Sequence, residues 1–314
     1  MRDNGGMNSP SSSTSTAPLP SLDSLPPSPG APGRITFIGG GNMASAIVGG
    51  LLRQGHPAAA LQIVEPWDEQ RVRLVQQFPG VAVYPEARSA ALASQASPDR
   101  PGTPATALVV WAVKPQVFKQ AALESAAHLP DHALHLSVAA GIRTESMARW
   151  LGSERIVRAM PNTPALVGLG MTGLYARAGV SAAEREQVQA LLAGTGRTLW
   201  LPQESDLDAV TALSGSGPAY VFYFLEAMRR AGTELGLSPA AATELAIGTF
   251  VGAAQLAQSS SEPPEVLRQR VTSKGGTTHA ALSALEAAQV ADSFVAAIAA
   301  AHRRAREMGD EFGN

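Results

Sequence analysis

The 314-residue sequence contains no cysteine. That excludes disulfides, iron–sulfur clusters, thiolate zinc sites and a cysteine nucleophile, and it fits a reducing compartment. Lysine is nearly absent as well: only Lys114, Lys119 and Lys274 occur, so almost all basic charge is arginine. The 24 Lys plus Arg stand against 26 Asp plus Glu, a net charge of −2. The basic excess needed by a nucleic-acid partner is therefore missing. No run approaches the roughly 20 apolar residues of a membrane span, so no membrane partner is expected. No apolar segment of the secretory type follows Arg2. The six histidines show no metal spacing with carboxylates. His132 and His135 form an H-x-x-H at a strand start, where alternation sends them to opposite faces, so no metal site is expected.

The length suits about two domains with a sizeable core. Residues 1–33 are Ser, Thr, Pro and Gly with almost no large apolar side chain, and they read as a disordered tail. Beyond them, short apolar runs alternate with helical periodicity. Strands are expected at 35–40, 61–65, 81–84, 107–113, 133–140 and 155–160. Helices are expected at 42–54, 68–78, 86–95, 116–129 and 144–151, and 97–106 is a breaker-rich loop. This is the βαβ pattern of an α/β, doubly wound parallel sheet. Past about residue 180 the period is helical, with candidates at 181–193, 204–213, 217–235, 239–258, 262–272, 277–287 and 289–309. The helices from 217 and 239 are apolar on more than one face, which requires neighbours all round. The expected plan is a tail at 1–33, a dinucleotide-binding domain at 34–178 and a helical domain at 179–314 that packs on a second copy of itself.

The first strand runs into Ile38-Gly39-Gly40-Gly41-Asn42-Met43-Ala44. This is G-x-G-x-x-A between a strand and a helix, the setting in which the string binds a dinucleotide. Gly39 would allow the tight turn, Gly41 the approach of the pyrophosphate, and Ala44 close helix packing, while the helix N-terminus faces the phosphates. Glu65 stands 24 residues after Gly41, at the end of the second strand. It reads either as the acceptor for a ribose 2′-hydroxyl or as a solvent-facing strand end. Arg71 and Arg73 follow, and could oppose its repulsion of a 2′-phosphate.

Further segments complete a pattern. They are Ala112-Val113-Lys114-Pro115-Gln116, Val138-Ala139-Ala140-Gly141-Ile142, Met160-Pro161-Asn162-Thr163-Pro164, Ser214-Gly215-Ser216-Gly217-Pro218-Ala219-Tyr220 and Ser273-Lys274-Gly275-Gly276-Thr277-Thr278. In this order, over about residues 34–308, the sequence resembles the pyrroline-5-carboxylate reductases of proline biosynthesis. The resemblance implies a Rossmann-type N-terminal domain, a C-terminal all-helical dimerisation domain and a cytoplasmic enzyme. It further implies a homodimer, in some members a larger ring of dimers, and reduction of a cyclic imine by NADPH or NADH. It assigns Thr278 as the catalytic hydroxyl. It assigns the nicotinamide half of the cofactor to the backbone of Ala112, Val113, Lys114 and Pro115 and of Val138, Ala139 and Ala140. Gly275 and Gly276, immediately before a helix, can form a nest of backbone N–H groups for the substrate carboxylate, with Ser273 and Thr277 beside it. Most relatives carry Pro where Lys274 stands. Three readings stay open on the residues themselves: Thr277 as an ordinary helix N-cap, Lys114 as a solvent-reaching side chain, and Asn162 as a ligand contact or a turn cap. A related imine or β-hydroxyacid reductase and a catalytically silent nucleotide sensor are the competing functions.

Overall fold

The computed structural model describes residues 34–95 and 108–313. The tail at 1–33 and the whole of the loop expected at 97–106 lie outside the described residues.

Among the described residues, eight strands form one sheet. They are β1 (Ile35–Ile38), β2 (Leu61–Val64), β3 (Ala82–Tyr84), β4 (Leu108–Trp111), β5 (Leu134–Ser137), β6 (Ile156–Met160), β7 (Gly170–Ala176) and β8 (Gly196–Trp200). Their spatial order is β3-β2-β1-β4-β5-β6-β7-β8. All neighbours pair in parallel except β6 and β7. Helices fill the crossovers: α1 (Asn42–Arg53), α2 (Asp68–Gln77), α3 (Ala87–Gln95), α4 (Pro115–Ala126), α5 (Thr144–Leu151) and α6 (Ala182–Leu192).

The alternation of each strand divides the interior into two cores. Phe37, Ile63, Val110, Leu136 and Val157 face one side, where α1 contributes Ala44, Ile47, Val48 and Leu51 and α6 contributes Val188 and Leu192. Ile38, Val64, Val109, Trp111 and Ile156 face the other, against Phe118 of α4 and Met147 and Trp150 of α5. Spacings of three and four along α1 produce its single apolar stripe. Helices on both faces make the sheet doubly wound.

Two strands, β7 and β8, were not expected. Gly170 and Gly173 interrupt the apolar alternation of β7, and β8 (GRTLW) is a half-exposed edge strand. A short 3-10 turn at Thr163–Val167 returns the chain beside β6, so β7 runs antiparallel to it. Beyond β8 the chain is helical: α7 (Asp206–Val210), a π turn (Thr211–Gly215), α8 (Gly217–Glu234), α9 (Pro239–Ser259), α10 (Pro264–Arg270), α11 (Thr277–Ala287) and α12 (Val290–Phe312). The single helix expected at 204–213 is thus shorter, and a π turn replaces its end. α8 packs on α9, and Phe294 of α12 meets Tyr220 and Phe224 of α8 edge to face. Of the 21 residues of α9 only Ala242 and Ala246 are buried. Its length and composition would suffice to cross a membrane, contrary to the expectation from unbroken apolar runs. Thr243, Glu244, Gly248 and Thr249 interrupt the apolar run, while its alanines and larger apolar residues keep the mean hydropathy high.

His135 on β5 is 4% exposed, and its Nδ1 accepts a 3.2 Å hydrogen bond from Trp111 Nε1–H. Burial, with the nearby Arg155 charge, pushes the imidazole down to about 4. Unfolded chains take up this proton near the usual 6.5 while the folded chain resists it, so stability falls as pH drops between these values. The expected loss is about 3 kcal/mol between pH 6.5 and 4. Urea denaturation across this range should give a flatter pH profile by that amount for His135→Gln, whose amide oxygen can still accept the indole N–H.

Candidate active site

The sheet brings three loops to one edge. Ile38 is in register with Val64 on one side and Trp111 on the other. The ladder continues past the strand ends, from Gly39 N–H to Val64 O (2.8 Å), Ala112 N–H to Ile38 O (2.8 Å) and Val138 N–H to Trp111 O (3.0 Å). Gly39, Ala112 and Val138 therefore stand side by side at the carboxyl ends of β1, β4 and β5. The chain's strand order reverses between β1 and β4, and open α/β sheets bind ligands outside such a switch point.

Gly39 has φ +94°, and a Cβ there would lie 2.7 Å from Ala112 O and 2.9 Å from Val113 Cγ1. Only glycine fits this turn without displacing the neighbouring loop. Gly41 differs: a Cβ on it meets nothing within 4 Å. It is the N-cap of α1 with no side-chain cap, and Ser45 N–H makes the first helical bond back to it. The amides of Asn42, Met43 and Ala44 are thus left without helical acceptors, aimed past open space. That combination suits an incoming pyrophosphate. Ala44 is fully buried against the sheet.

Glu65 is fixed at the end of β2. Its carboxylate accepts from Gly40 N–H at 2.9 Å and Trp67 N–H at 3.0 Å. Gln70, one turn into α2, donates to Gly40 O at 2.7 Å. Both polar groups of Gly40 are therefore held by side chains, which leaves the glycine loop little freedom. Lys114 is exposed and N-caps α4 through its backbone, with no side-chain bond to the helix. Val138, Ala139 and Ala140 follow β5, and Ala139 N–H is bonded to Ser137 Oγ at 3.3 Å.

Asn162 lies two residues beyond β6, and both ends of its side chain are engaged within the protein. Its Nδ2 donates to Ser214 O at 3.0 Å, and its Oδ1 accepts from Met171 N–H at 2.9 Å. Ser214 belongs to the π turn, whose wide pitch leaves carbonyls free for such bonds. Ala212 O in the same turn accepts from Tyr220 O–H at 3.0 Å. Asn162 thus ties β6, β7 and the start of α8 together.

Ser273–Thr278 form the loop before α11. Gly275 has φ +77°, and Gly276, not Thr277, is the N-cap. Thr277 and Thr278 are the first two helical residues, so the N-cap reading of Thr277 is replaced. Gly276 N–H bonds to Ser273 O at 3.1 Å, tightening the turn. The loop is largely exposed, with Thr278 half-buried. Within one chain, no hydrogen bond or ion pair among the described residues joins it to the three loops of the sheet edge.

One cluster escaped the sequence reading. Arg158 of β6 is 3% exposed. It pairs with Glu204 at 3.0 Å and Asp208 at 3.8 Å. Glu204 also accepts from Thr144 N–H at 2.7 Å and Thr144 O–H at 2.6 Å, capping α5. The first turn of the helical region is thereby locked to the sheet. An arginine inside the apolar strand IVRAM was the available signal, since buried charge requires a partner.

Comparison with known proteins now bears on this architecture. A family model described as pyrroline-5-carboxylate reductase dimerisation matches residues 204–308, and one described as NADP oxidoreductase coenzyme F420-dependent matches residues 34–141. The pyrroline-5-carboxylate reductase of Pseudomonas aeruginosa is 44% identical over 281 residues, covering 89% of this chain and 98% of that protein. The chain belongs to the pyrroline-5-carboxylate reductase family. The solved reductase of Coxiella burnetii matches with TM-score 0.78 and 36% identity over 88% of this chain and 98% of its own. That of Plasmodium falciparum, solved with NADP bound, matches with TM-score 0.74 and 26% identity over 88% of this chain and 98% of its own. The chain thus combines a Rossmann-type sheet with a C-terminal helical dimerisation region. Its matched region, 204–308, spans nearly all of α7–α12 and includes the apolar faces left bare on α8 and α9. Self-association accounts for those faces.

Proposed function

We infer that the protein reduces Δ1-pyrroline-5-carboxylate to L-proline, the last step of proline biosynthesis, with hydride from NADPH or NADH. The observation that carries this reading is the open, amide-lined approach at Gly41 beside the nicotinamide-side loops, in a chain of this family. The residues at the sheet edge accommodate a dinucleotide: Ile38 to Ala44 at the pyrophosphate, Glu65 at the adenosine ribose, and Ala112–Pro115 with Val138–Ala140 along the nicotinamide. Bound NAD(P)H supplies the hydride.

The chain's own residues do the rest. The ring nitrogen of the imine must hold a proton as the imine carbon takes up hydride, giving proline and NAD(P)⁺. Thr278 O–H is the partner of that nitrogen. Ser273, Gly275, Gly276 and Thr277 hold the substrate carboxylate at the positive end of α11, where Lys274 adds charge. Asn162 acts on substrate indirectly, by fixing the start of α8. Thr278→Ala is expected to lower kcat by about 10²-fold or more, with KM little changed, while Thr278→Ser keeps most activity. Equal activity of the Ala variant would remove Thr278 from the chemistry.

In this reading residues 34–178 form the dinucleotide-binding domain and 179–314 the dimerisation and substrate domain, with α6 and β8 of the latter completing the sheet. The active site is shared: the Ser273–Thr278 loop of one subunit meets the nicotinamide loops of its partner. The absence of bonds between these loops within one chain supports it. Mixing Thr278→Ala subunits with Gly41→Val subunits should restore activity in the heterodimer, because one of its two sites is then intact. No recovery after exchange would place both parts of the site in one chain. Association of dimers into a larger ring, a cytoplasmic location and independence from membranes and nucleic acid complete the proposal. Sedimentation of the purified protein distinguishes dimer from ring.

A further inference from the structure

Trp67 stands two residues beyond Glu65, at the N-cap of α2, and is 72% exposed. A large indole at the surface needs a reason when it sits beside a carboxylate already locked in place. We propose that Glu65, Trp67 and Arg71 form an adenosine site that selects NAD(H) over NADP(H). This rests on the reading of the glycine loop as a nucleotide site.

Each Glu65 oxygen accepts one backbone N–H, from Gly40 and from Trp67, and keeps further acceptor capacity. A ribose diol brings two O–H donors to such a carboxylate. A 2′-phosphate brings no donor to match it and a like charge. The carboxylate is immobilised by those bonds, so it cannot swing aside to relieve the repulsion.

Arg71 is the nearest cation in sequence, and it is already committed. Its Nη1 donates to Glu65 O at 3.0 Å and Pro66 O at 2.7 Å, and its Nη2 pairs with Asp68. The guanidinium therefore braces the turn instead of offering a free fork to a 2′-phosphate. That replaces the sequence reading in which Arg71 opposes the repulsion from Glu65. Arg73 is the other cation of α2 and is exposed. The indole of Trp67 supplies a flat apolar face on which adenine can stack.

The test is titration of the full-length protein with NAD⁺ and NADP⁺ by calorimetry and by tryptophan emission. Trp111 and Trp150 are buried, and Trp200 lies on β8, six strands from β2 in the sheet, so contact at this surface is reported mainly by Trp67. NAD⁺ should bind about tenfold or more tighter, and Glu65→Ser should shift the ratio towards NADP⁺ by at least about tenfold. A merely loosened glycine loop weakens both nucleotides in proportion and leaves the ratio unmoved. Trp67→Phe should abolish most of the emission change and weaken both nucleotides alike. Equal affinities, tighter NADP⁺ (which would assign its phosphate to Arg73), or an unchanged ratio in Glu65→Ser would overturn the proposal. Failure of both nucleotides to bind would instead overturn the nucleotide reading beneath it.

Discussion

Glu204→Ala is expected to destabilise the protein by about 3–5 kcal/mol, the cost of stripping the main partner from a buried charge. Arg158 would keep only Asp208, at 3.8 Å, while almost wholly out of water. The loss has a second component, because Glu204 also receives the Thr144 amide and hydroxyl at the start of α5. Glu204→Gln retains an acceptor for Thr144 but removes the charge, so its cost should be smaller. The double variant Arg158→Met/Glu204→Gln should recover part of the stability, since an apolar side chain no longer needs a counter-charge. Thermal or urea denaturation checks the order. If the single Ala variant lost less than about 1 kcal/mol, the cluster would behave as a surface pair and not as a lock between sheet and helices.

The second large effect concerns Gly41 and separates binding from folding. Gly41→Ala adds a methyl group to open space at a backbone φ of −75°, which any residue adopts. The folded protein should change by no more than about 1 kcal/mol, the scale of exchanging one helix cap for another. Nucleotide affinity should fall far more, by about 10²-fold, because the methyl occupies the approach to the helix amides and shifts the ligand by about an ångström. Gly39→Ala should behave oppositely. There the new Cβ meets Ala112 O at 2.7 Å in a backbone conformation unfavourable to alanine, so stability and binding fail together. Calorimetric titration alongside thermal melts distinguishes the two patterns. Similar behaviour of both variants would mean that the loop's role is packing alone.

How much was legible in the sequence depended on whether the signal was local. Helices α5 and α11 begin and end where their periodicity and flanking residues put them. The glycine loop was legible because turn, strand and helix are contiguous. The strands β7 and β8 were not, because glycines break one and solvent exposure breaks the apolar pattern of the other. The π turn at Thr211–Gly215 was also hidden. Its local sequence reads as helix, and its stabilising partner Asn162 comes from a loop 52 residues away. Arg158 and Glu204 are 46 residues apart, so only the anomaly of an arginine in an apolar strand hinted at the cluster. Asn162 shows the same limit: its residue type left a ligand contact and a turn cap open, and its internal partners Ser214 and Met171 lie 52 and 9 residues away.

The most direct measurement is parallel quantification of nucleotide oxidation and proline formation by the purified protein supplied with Δ1-pyrroline-5-carboxylate. The account predicts one proline formed for each NADH or NADPH consumed, with the rate lost in Thr278→Ala and in Gly41→Ala. Nucleotide binding without proline formation would contradict it.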